Sequence, residues 1–585
     1  MKSKYLNKKP PKSRTTARKR PADESHRPQR KVQKRHHEST PGGENSPVED
    51  GLDPEDSNPH RDAYVQIENH FLEQFSLPAL RSHATVALLN RDCIQFFHAN
   101  HSTILVASEI NFGENDETGG LDTLIAIVFA FVSLSLTNNG ILHDPRDDRL
   151  SREKGYPSTR DIDPGDMRVR EGRKLVFGGD GKSGPFTLTY GGIIHRELMS
   201  VGRSTTVVHA TSPKWNGVDL VLKIYWPDSD MANEGEFLQR AIKEAEDSTD
   251  KWALKHLPGY LFNQDVTLGS IHGRVASCFD GNRFDFIDRR GPYVERHQRV
   301  IIQERLYPLT TLTDVRDIAQ VLVDIACSMY FSNAFRSPNT YTGLVHRWLY
   351  EKVGILHQDL SLANIMYRII EGKVYGVLTD FDLSSWTAGG HTRDARAPPQ
   401  LIGTATYMAC DLLYENGFKT TRLYRHDLES LFYVMVSLAT YFEVETPGEG
   451  KKGGILTRKG GHWGPQWFYL PSYRDNAFSK HSFLSATDHI ELSPTFKDFR
   501  DWLEGIRSLF REGMRAKDVH EGSRAEERWN RRSGGGPIPE FDDETLGGRV
   551  CYSKFIDSVR NLKGRLEGLV VRYEPEAASL DGNAS

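Results

Sequence analysis

The run Gly354-Ile355-Leu356-His357-Gln358-Asp359-Leu360-Ser361-Leu362-Ala363-Asn364, followed by Leu378-Thr379-Asp380-Phe381-Asp382, constrains this chain more than any other stretch. An apolar strand or helix end delivers His357 and Asp359 into a loop, and Asn364 comes five residues after Asp359. The hydrophobic strand Val374 to Thr379 then presents a second carboxylate, Asp380, in a turn. Transfer of a phosphoryl group needs such parts: one carboxylate beside the attacking hydroxyl, and a carboxylate with an amide oxygen to hold the magnesium that bridges the phosphates. A lone His-x-Asp arises by chance in a long chain, and a buried His beside an Asp is usually plain structure. The conjunction with Asn364 and with Asp380 on a strand end gives the pattern its weight.

At 585 residues, length alone suggests several domains. The net charge of -4 hides an asymmetry: residues 1–40 hold 14 Lys or Arg against 3 Asp or Glu, a net of +11, which leaves -15 for the remainder. Residues 41–58 then carry six acids and no base. Such stretches have too little apolar surface to offset the entropy of ordering, so 1–58 is expected to be a disordered basic-then-acidic tail. Its clusters, such as Arg18-Lys19-Arg20 and Lys34-Arg35, read equally as a nuclear-import signal, a nucleic-acid patch or a solvated tail with no reader. Five cysteines (Cys93, Cys278, Cys327, Cys410, Cys551) lack metal-type spacing and suggest reduced thiols in an intracellular protein, nuclear or cytoplasmic. Met1 to Arg20 has no apolar core, so no secretory signal is expected. The most apolar segment, Leu121 to Leu136, is shorter than the ~20 residues a bilayer needs. It also contains Asp122, Ser133 and Ser135, so a buried helix over 121–137 is expected, with no membrane partner.

The pattern divides the chain into an accessory α/β region (59–150), a polar, Gly-rich linker (151–184) with one strand near Leu175 to Phe177, a β-rich part (185–306), a helical part (307–572) and a disordered terminus (573–585). A helix is expected over 60–80, where Tyr64, Ile67, Phe71 and Phe75 share helical spacing, with strands from Cys93 to Val106. Strands run from Phe186 to Ile224, broken by turns at Gly191-Gly192 and Pro213 to Gly217. One helix is expected over Asn233 to Ala245, and further strands at Val266 to Leu268, Arg274 to Ser277 and Val300 to Gln303. Helices then dominate: Val315 to Phe331, Thr342 to Val353, Asp427 to Tyr441 and Thr495 to Arg515. Pro447 to Pro465 and Ala525 to Pro539 read as surface insertions. The order is that of an α+β chain, and the absence of an internal repeat excludes a solenoid.

Beyond this, His357 to Asn364 and Asp380-Phe381-Asp382 resemble the H-R-D-L-x-x-x-N and D-F-G loops of protein kinases. Leu222-Lys223-Ile224 is similar to the kinase V-A-I-K, although a mid-strand lysine is otherwise most often solvent-facing. Glu234, ahead of Phe237 and Leu238, is favoured over Glu236 as its ion-pair partner, because both apolar residues then fall on the buried face. Val201 to Val207, about 20 residues before Lys223, stands where a phosphate-covering loop belongs, with one glycine where kinases show G-x-G-x-x-G. Gly403 to Asp411 resembles G-T-x-x-Y-M-A-P-E, with Cys410-Asp411 for Pro-Glu. Asp427 at the head of an apolar helix is a candidate acceptor for the backbone of the catalytic loop; its plain alternative is an N-cap. Together with Asn90 to Ser108 and Asp427 to Tyr433, these motifs closely resemble the fungal-type protein kinase family over roughly residues 60–450. The resemblance implies a two-lobed protein-kinase-like fold with a β-rich N-lobe and an α-helical C-lobe, ATP and Mg2+ as cofactors, and a protein substrate. It implies Asp359, Lys223, Glu234 and Asn364 as catalytic residues and Asn364 and Asp380 as metal ligands. Nucleotide contacts would come from Gly202, Ser204, Val207, Lys223 and Glu304, with Thr404 in the activation segment.

The departures weigh on function. Gln358 replaces the Arg that reads a phosphorylated activation loop, so activity is expected not to depend on a phosphate sensed there. Ser361 replaces the Lys that neutralises the transferring phosphate in many serine/threonine kinases, and Asp382 replaces a glycine, which stiffens the turn. The leading reading is a serine/threonine-type protein kinase. Small-molecule kinases of the aminoglycoside and choline type share the missing Lys and an acidic residue like Asp382, but have no need of a peptide platform. A pseudokinase acting as a scaffold fits the glycine-poor loop and Gln358. No nucleic-acid role is expected beyond contact through the basic tail.

Overall fold

The computed structural model describes residues 59–76, 83–113, 119–133, 173–177, 184–197, 199, 201–266, 294–326, 345–388, 391–392, 403–414, 421–445, 455–458, 467, 472–530, 540–560, 562 and 564–569. The expected tail 1–58, the strand 274–277, the terminus 573–585, most of the linker 151–184, and Cys278 and Cys327 lie outside the described residues.

Helix α1 (Pro59–Ser76) opens on a proline, which suits the first helical turn because its missing N–H would have no partner there. Its residues Ile67, Phe71 and Phe75 fall one turn apart on one face and bury themselves against Ala84, Phe97 and Ala99. Those belong to an antiparallel sheet of β1 (His83–Asn90), β2 (Cys93–Asn100), β3 (Thr103–Val106) and β4 (Ile110–Asn111). Helix α2 (Gly120–Ser133) corrects the expectation of burial: Leu121, Ile125, Val128, Phe129 and Val132 are exposed, Phe129 at 74%. A helix that is apolar all round needs neighbours all round. Here the contact is one stripe, with Phe131 stacked on Phe96 at 5.9 Å. No described helix is long and apolar enough to cross a membrane.

Strands β5 (Arg173–Phe177), β6 (Phe186–Glu197), β7 (Thr205–Thr211), β8 (Leu220–Tyr225), β9 (Tyr260–Val266) and β10 (Gln298–Glu304) form a six-stranded antiparallel sheet in the order β5-β6-β7-β8-β10-β9. Gly191-Gly192 is not the expected turn. β6 runs through it with its register against β7 slipping between Tyr190 and His195, as glycines at a strand bulge allow. Leu188, Tyr190, Val208, Leu220, Leu222 and Ile302 bury one sheet core. Helix α3 (Glu234–Asp247) places Phe237, Leu238 and Ala241 in a second core shared with the helices that follow.

After the short β11 (Tyr307–Pro308) comes helix α4 (Val315–Ala326). Helix α5 (Val345–Trp348) runs into a π turn ended by Gly354 at φ 79°, a left-handed position that favours glycine. A hairpin follows, β13 (Ile365–Ile370) with β14 (Lys373–Leu378), beside β12 (Ile355–Leu356), β15 (Ser385–Ala388) and β16 (His391–Thr392). Every residue of helix α6 (Tyr424–Tyr441) is buried, which makes it the axis of the helical part. Around it lie helices α7 (Tyr473–Ser485), α8 (Arg500–Asn530) and α9 (Tyr552–Arg560). Part of the expected insertion 447–465 is a strand, β18 (Ile455–Arg458), paired with β17 (Phe442–Glu445), and α8 runs into the expected insertion 525–539.

Strand β14 lies against α4 so closely that a Cβ on Gly376 would stand 2.6 Å from the Val321 carbonyl oxygen and 3.1 Å from Asp324 Cβ. The Gly376 amide donates to Asp324 Oδ2 (2.9 Å) and its carbonyl pairs with His256 Nδ1 (2.7 Å). Gly376→Ala is therefore expected to cost roughly 1–3 kcal/mol through forced separation of strand and helix. Gly522→Ala, on α8 with open space around it, should stabilise by up to about 1 kcal/mol. Urea unfolding midpoints of the two variants check both signs.

Candidate active site

Lys223 sits on β8 between Val207 of β7 and Ile301 of β10, so its backbone is fixed from both sides. Its ammonium donates to Glu234 Oε2 (2.7 Å) and also bonds Asp380 Oδ1. Glu234 opens α3, where Asn233 caps the helix by accepting from the Gly235 amide (2.8 Å), and where a carboxylate also suits the positive helix end. Its second oxygen, Oε1, accepts from the Phe381 amide (3.3 Å). One carboxylate thus holds the lysine and the turn that carries Asp380. Burial alone would lower the Lys223 pKa, but Asp380 and Glu234 outweigh it and raise it, so the cation persists. Withdrawal from water would raise Asp380; Lys223, and then Arg203 and His357, bring it below the usual carboxylate range.

The second group gathers on the loop after β12. His357 Nε2 bonds the Thr379 carbonyl (2.9 Å) while Nδ1 faces the Asp359 amide (3.4 Å). Burial pushes its pKa down, so His357 is a neutral strut rather than an acid. Asp359 Oδ1 accepts from the Thr404 amide (2.7 Å), and Oδ2 faces Asn364 Nδ2 (3.3 Å), which also donates to the Asp359 carbonyl (2.8 Å). The Thr379 amide bonds the Asn364 carbonyl (2.9 Å), which ties this loop to the residue just before Asp380. Gln358 and Asp380 both stand in left-handed backbone, at φ 67° and 65°. Each costs about 1–2 kcal/mol in a residue with a Cβ, held by the surrounding bonds.

Asp427 is not an N-cap; Leu423 holds that place. Buried on α6, its Oδ2 accepts from the Gln358 amide (3.1 Å) and His346 Nε2 (2.9 Å), and His346 Nδ1 bonds the Tyr552 hydroxyl (2.9 Å). Arg422 Nη1 donates to the Gln358 carbonyl (3.2 Å). Thr404 supports Asp359 through its backbone amide. The small pocket beneath Asp359 is lined by Thr404, Arg422, His426 and Asp427, not by Lys223.

Of the remaining nucleotide candidates, Val207 stands beside Lys223, while Gly202, Ser204 and Glu304 make their contacts elsewhere. Gly202, at φ 140°, spends its amide on the His101 carbonyl (2.9 Å), so that amide serves the accessory region. The Ser204 hydroxyl donates to the Met199 carbonyl (3.0 Å) and accepts from its amide (2.9 Å), closing the loop base. Val207 lies opposite Lys223, half-buried. Glu304, at the end of β10, faces Arg368 (3.9 Å), and no described contact joins it to the Lys223 group.

Three arrangements went unread in the sequence. Asp411, in place of a Glu, forms an ion pair with Arg425 (2.6 Å) and His426 (3.2 Å), which hold its carboxyl well below the usual range although burial would raise it. Lys480 of α7, fully buried, donates to the Ala405 (3.0 Å) and Met408 (2.6 Å) carbonyls, and burial pulls its pKa down to about 7. Arg203 pairs with Asp382. Of these, the carboxylate at a glycine position was the visible signal.

Among the described residues no three His, Cys, Asp or Glu side chains form a metal-holding group. Asn364 and Asp380 nevertheless fit magnesium. The Asn364 amide nitrogen is engaged by Asp359, which leaves its Oδ1, like the Asp380 carboxylate, a hard oxygen donor of the kind magnesium takes. A sequence profile described as fungal protein kinase matches residues 344–439, the span from α5 into the last turn of α6. That match supports a fungal-type protein kinase family. It suggests a kinase-type phosphotransferase and, with it, the general use of ATP and a metal. No curated protein matches the chain.

Asp427→Ala would leave the Gln358 amide and His346 without their shared acceptor, so it should destabilise the fold by about 3 kcal/mol. Asp427→Asn, which keeps an acceptor oxygen, should lose less. A urea midpoint that does not move for the alanine variant would contradict the pinning role.

Proposed function

We propose that this fungal-type kinase chain is a serine/threonine-type protein kinase, with residues 185–306 and 307–572 as its N- and C-lobes around one nucleotide site. The single observation that carries the reading is Lys223 held jointly by Glu234 and Asp380, joined through Thr379 and Asn364 to the loop of Asp359. Magnesium, when bound, would neutralise phosphate charge as the group is transferred. Lys223 would grip the nucleotide phosphates, with Glu234 keeping the ammonium on the cleft side of β8. Asn364 Oδ1 and Asp380 would hold the metal. Asp359, its carboxylate oriented by the Thr404 amide and Asn364, would align the substrate hydroxyl and take its proton.

A protein substrate is favoured over a small molecule by the segment after Gly403. Lys480 binds the carbonyls of Ala405 and Met408, and Glu429 accepts from the Cys410 amide (2.7 Å), so this strip beside Asp359 is held as a rigid platform. A small molecule needs no such surface.

The test is transfer of radiolabelled ATP phosphate to a mixed peptide library by the purified chain. Label is expected on Ser or Thr of peptides, falling about 100-fold or more with Asp359→Asn and lost with Asp380→Ala. Label on an aminoglycoside or choline instead would shift the reading to small-molecule phosphorylation. No transfer to any acceptor would leave a scaffold.

A further inference from the structure

Arg203 and Asp382 are the two charged residues at the Lys223 site that the assignment above leaves without a task. Arg203 follows Gly202 in the loop before β7, and its carbonyl is fixed by the Trp226 amide (2.8 Å) one residue beyond β8. Its Nη2 donates to Asp382 Oδ2. That carboxylate side chain is only 3% exposed, and the same oxygen lies 3.9 Å from Lys223 Nζ. Asp382 Oδ1 is buried with no hydrogen-bond partner. The Arg203 side chain remains 30% exposed. Two cations therefore stand side by side on one carboxylate, between the phosphate-covering loop and the metal turn.

We propose that Arg203 binds the polyphosphate of the nucleotide, and that Asp382 is the positioning residue that aims it. The inference rests on the phosphotransfer reading above. A guanidinium carries five donors in a rigid planar fork. Asp382 takes one nitrogen, so the other donors stay available for a bidentate contact to phosphate oxygens without breaking the ion pair. Three departures then share one cause. A loop with one glycine brings its backbone less freely to phosphates, and Gly202 has spent its amide on His101, so a side chain does the work. A glycine at 382 could not anchor that side chain, and the second cation that Ser361 does not supply comes from Arg203.

An arginine on a buried aspartate is also an ordinary structural pin, and the two roles separate by ligand. Calorimetric titration of the full-length chain with ATP and with AMP, in magnesium, should show Arg203→Gln weakening ATP about ten-fold or more, with AMP unchanged. Asp382→Asn should give a smaller loss of the same kind. If the glutamine variant does not fold, Arg203→Lys carries the test, with ATP weakened and AMP unchanged. Equal loss of ATP and AMP, or ATP affinity unchanged in the variants, overturns the role of Arg203 while the kinase reading stands. A wild-type chain that binds no ATP overturns both.

Discussion

One ammonium organises this molecule. Lys223 comes from the middle of a sheet, Glu234 from the first turn of a helix, and Asp380 from a turn after a separate hairpin. Burying such charges costs several kcal/mol each unless they are paired with good geometry. The pairing therefore dictates where α3 and the β14 turn lie relative to the large sheet. Glu234 strengthens the tie by accepting from the Phe381 amide, and Phe381 packs edge-on against His357 (5.0 Å), which reaches the loop of Asp359. From Lys223 outward, each link constrains the next.

The other half of the site is fixed from below. Buried helix α6 supplies Asp427 and Glu429, which hold the backbone at Gln358 and Cys410, and Arg425, which pairs with Asp411. Lys480 adds two more bonds to the same strip from α7. A loop held this densely can keep Gln358 and Asp380 in left-handed backbone, which a less supported chain would relax. The candidate site sits on strained loops, and their supports are in the helical core.

What was legible in the sequence was what is local. His357, Asp359, Asn364 and Asp380 carry their spacing on the two loops that flank one hairpin, and Lys223 and Glu234 stand eleven residues apart. The α3 pattern favours Glu234 over Glu236 because Phe237 and Leu238 define the buried face, and Glu234 is the residue that bonds Lys223. What was not legible was contact across the chain. Lys480 reads as an ordinary surface lysine until Ala405 and Met408, more than seventy residues earlier, arrive above it. Gly202 looked available to phosphate because nothing in its own segment announces His101. Helix α2 shows the converse limit: apolarity measures the wish for cover, not its supply, and Phe129 stays exposed. Gly191-Gly192 was ambiguous because glycine marks turns and bulges alike.

The account stands on Lys223 being the lysine beside nucleotide phosphates. An acyl phosphate derivative of ATP transfers its acyl group to an amine held against the phosphate chain, and peptide mass spectrometry then identifies the modified residue. The account predicts acylation at Lys223, suppressed by excess ATP with magnesium. Modification confined to other lysines, or labelling of Lys223 that ATP does not suppress, would contradict it.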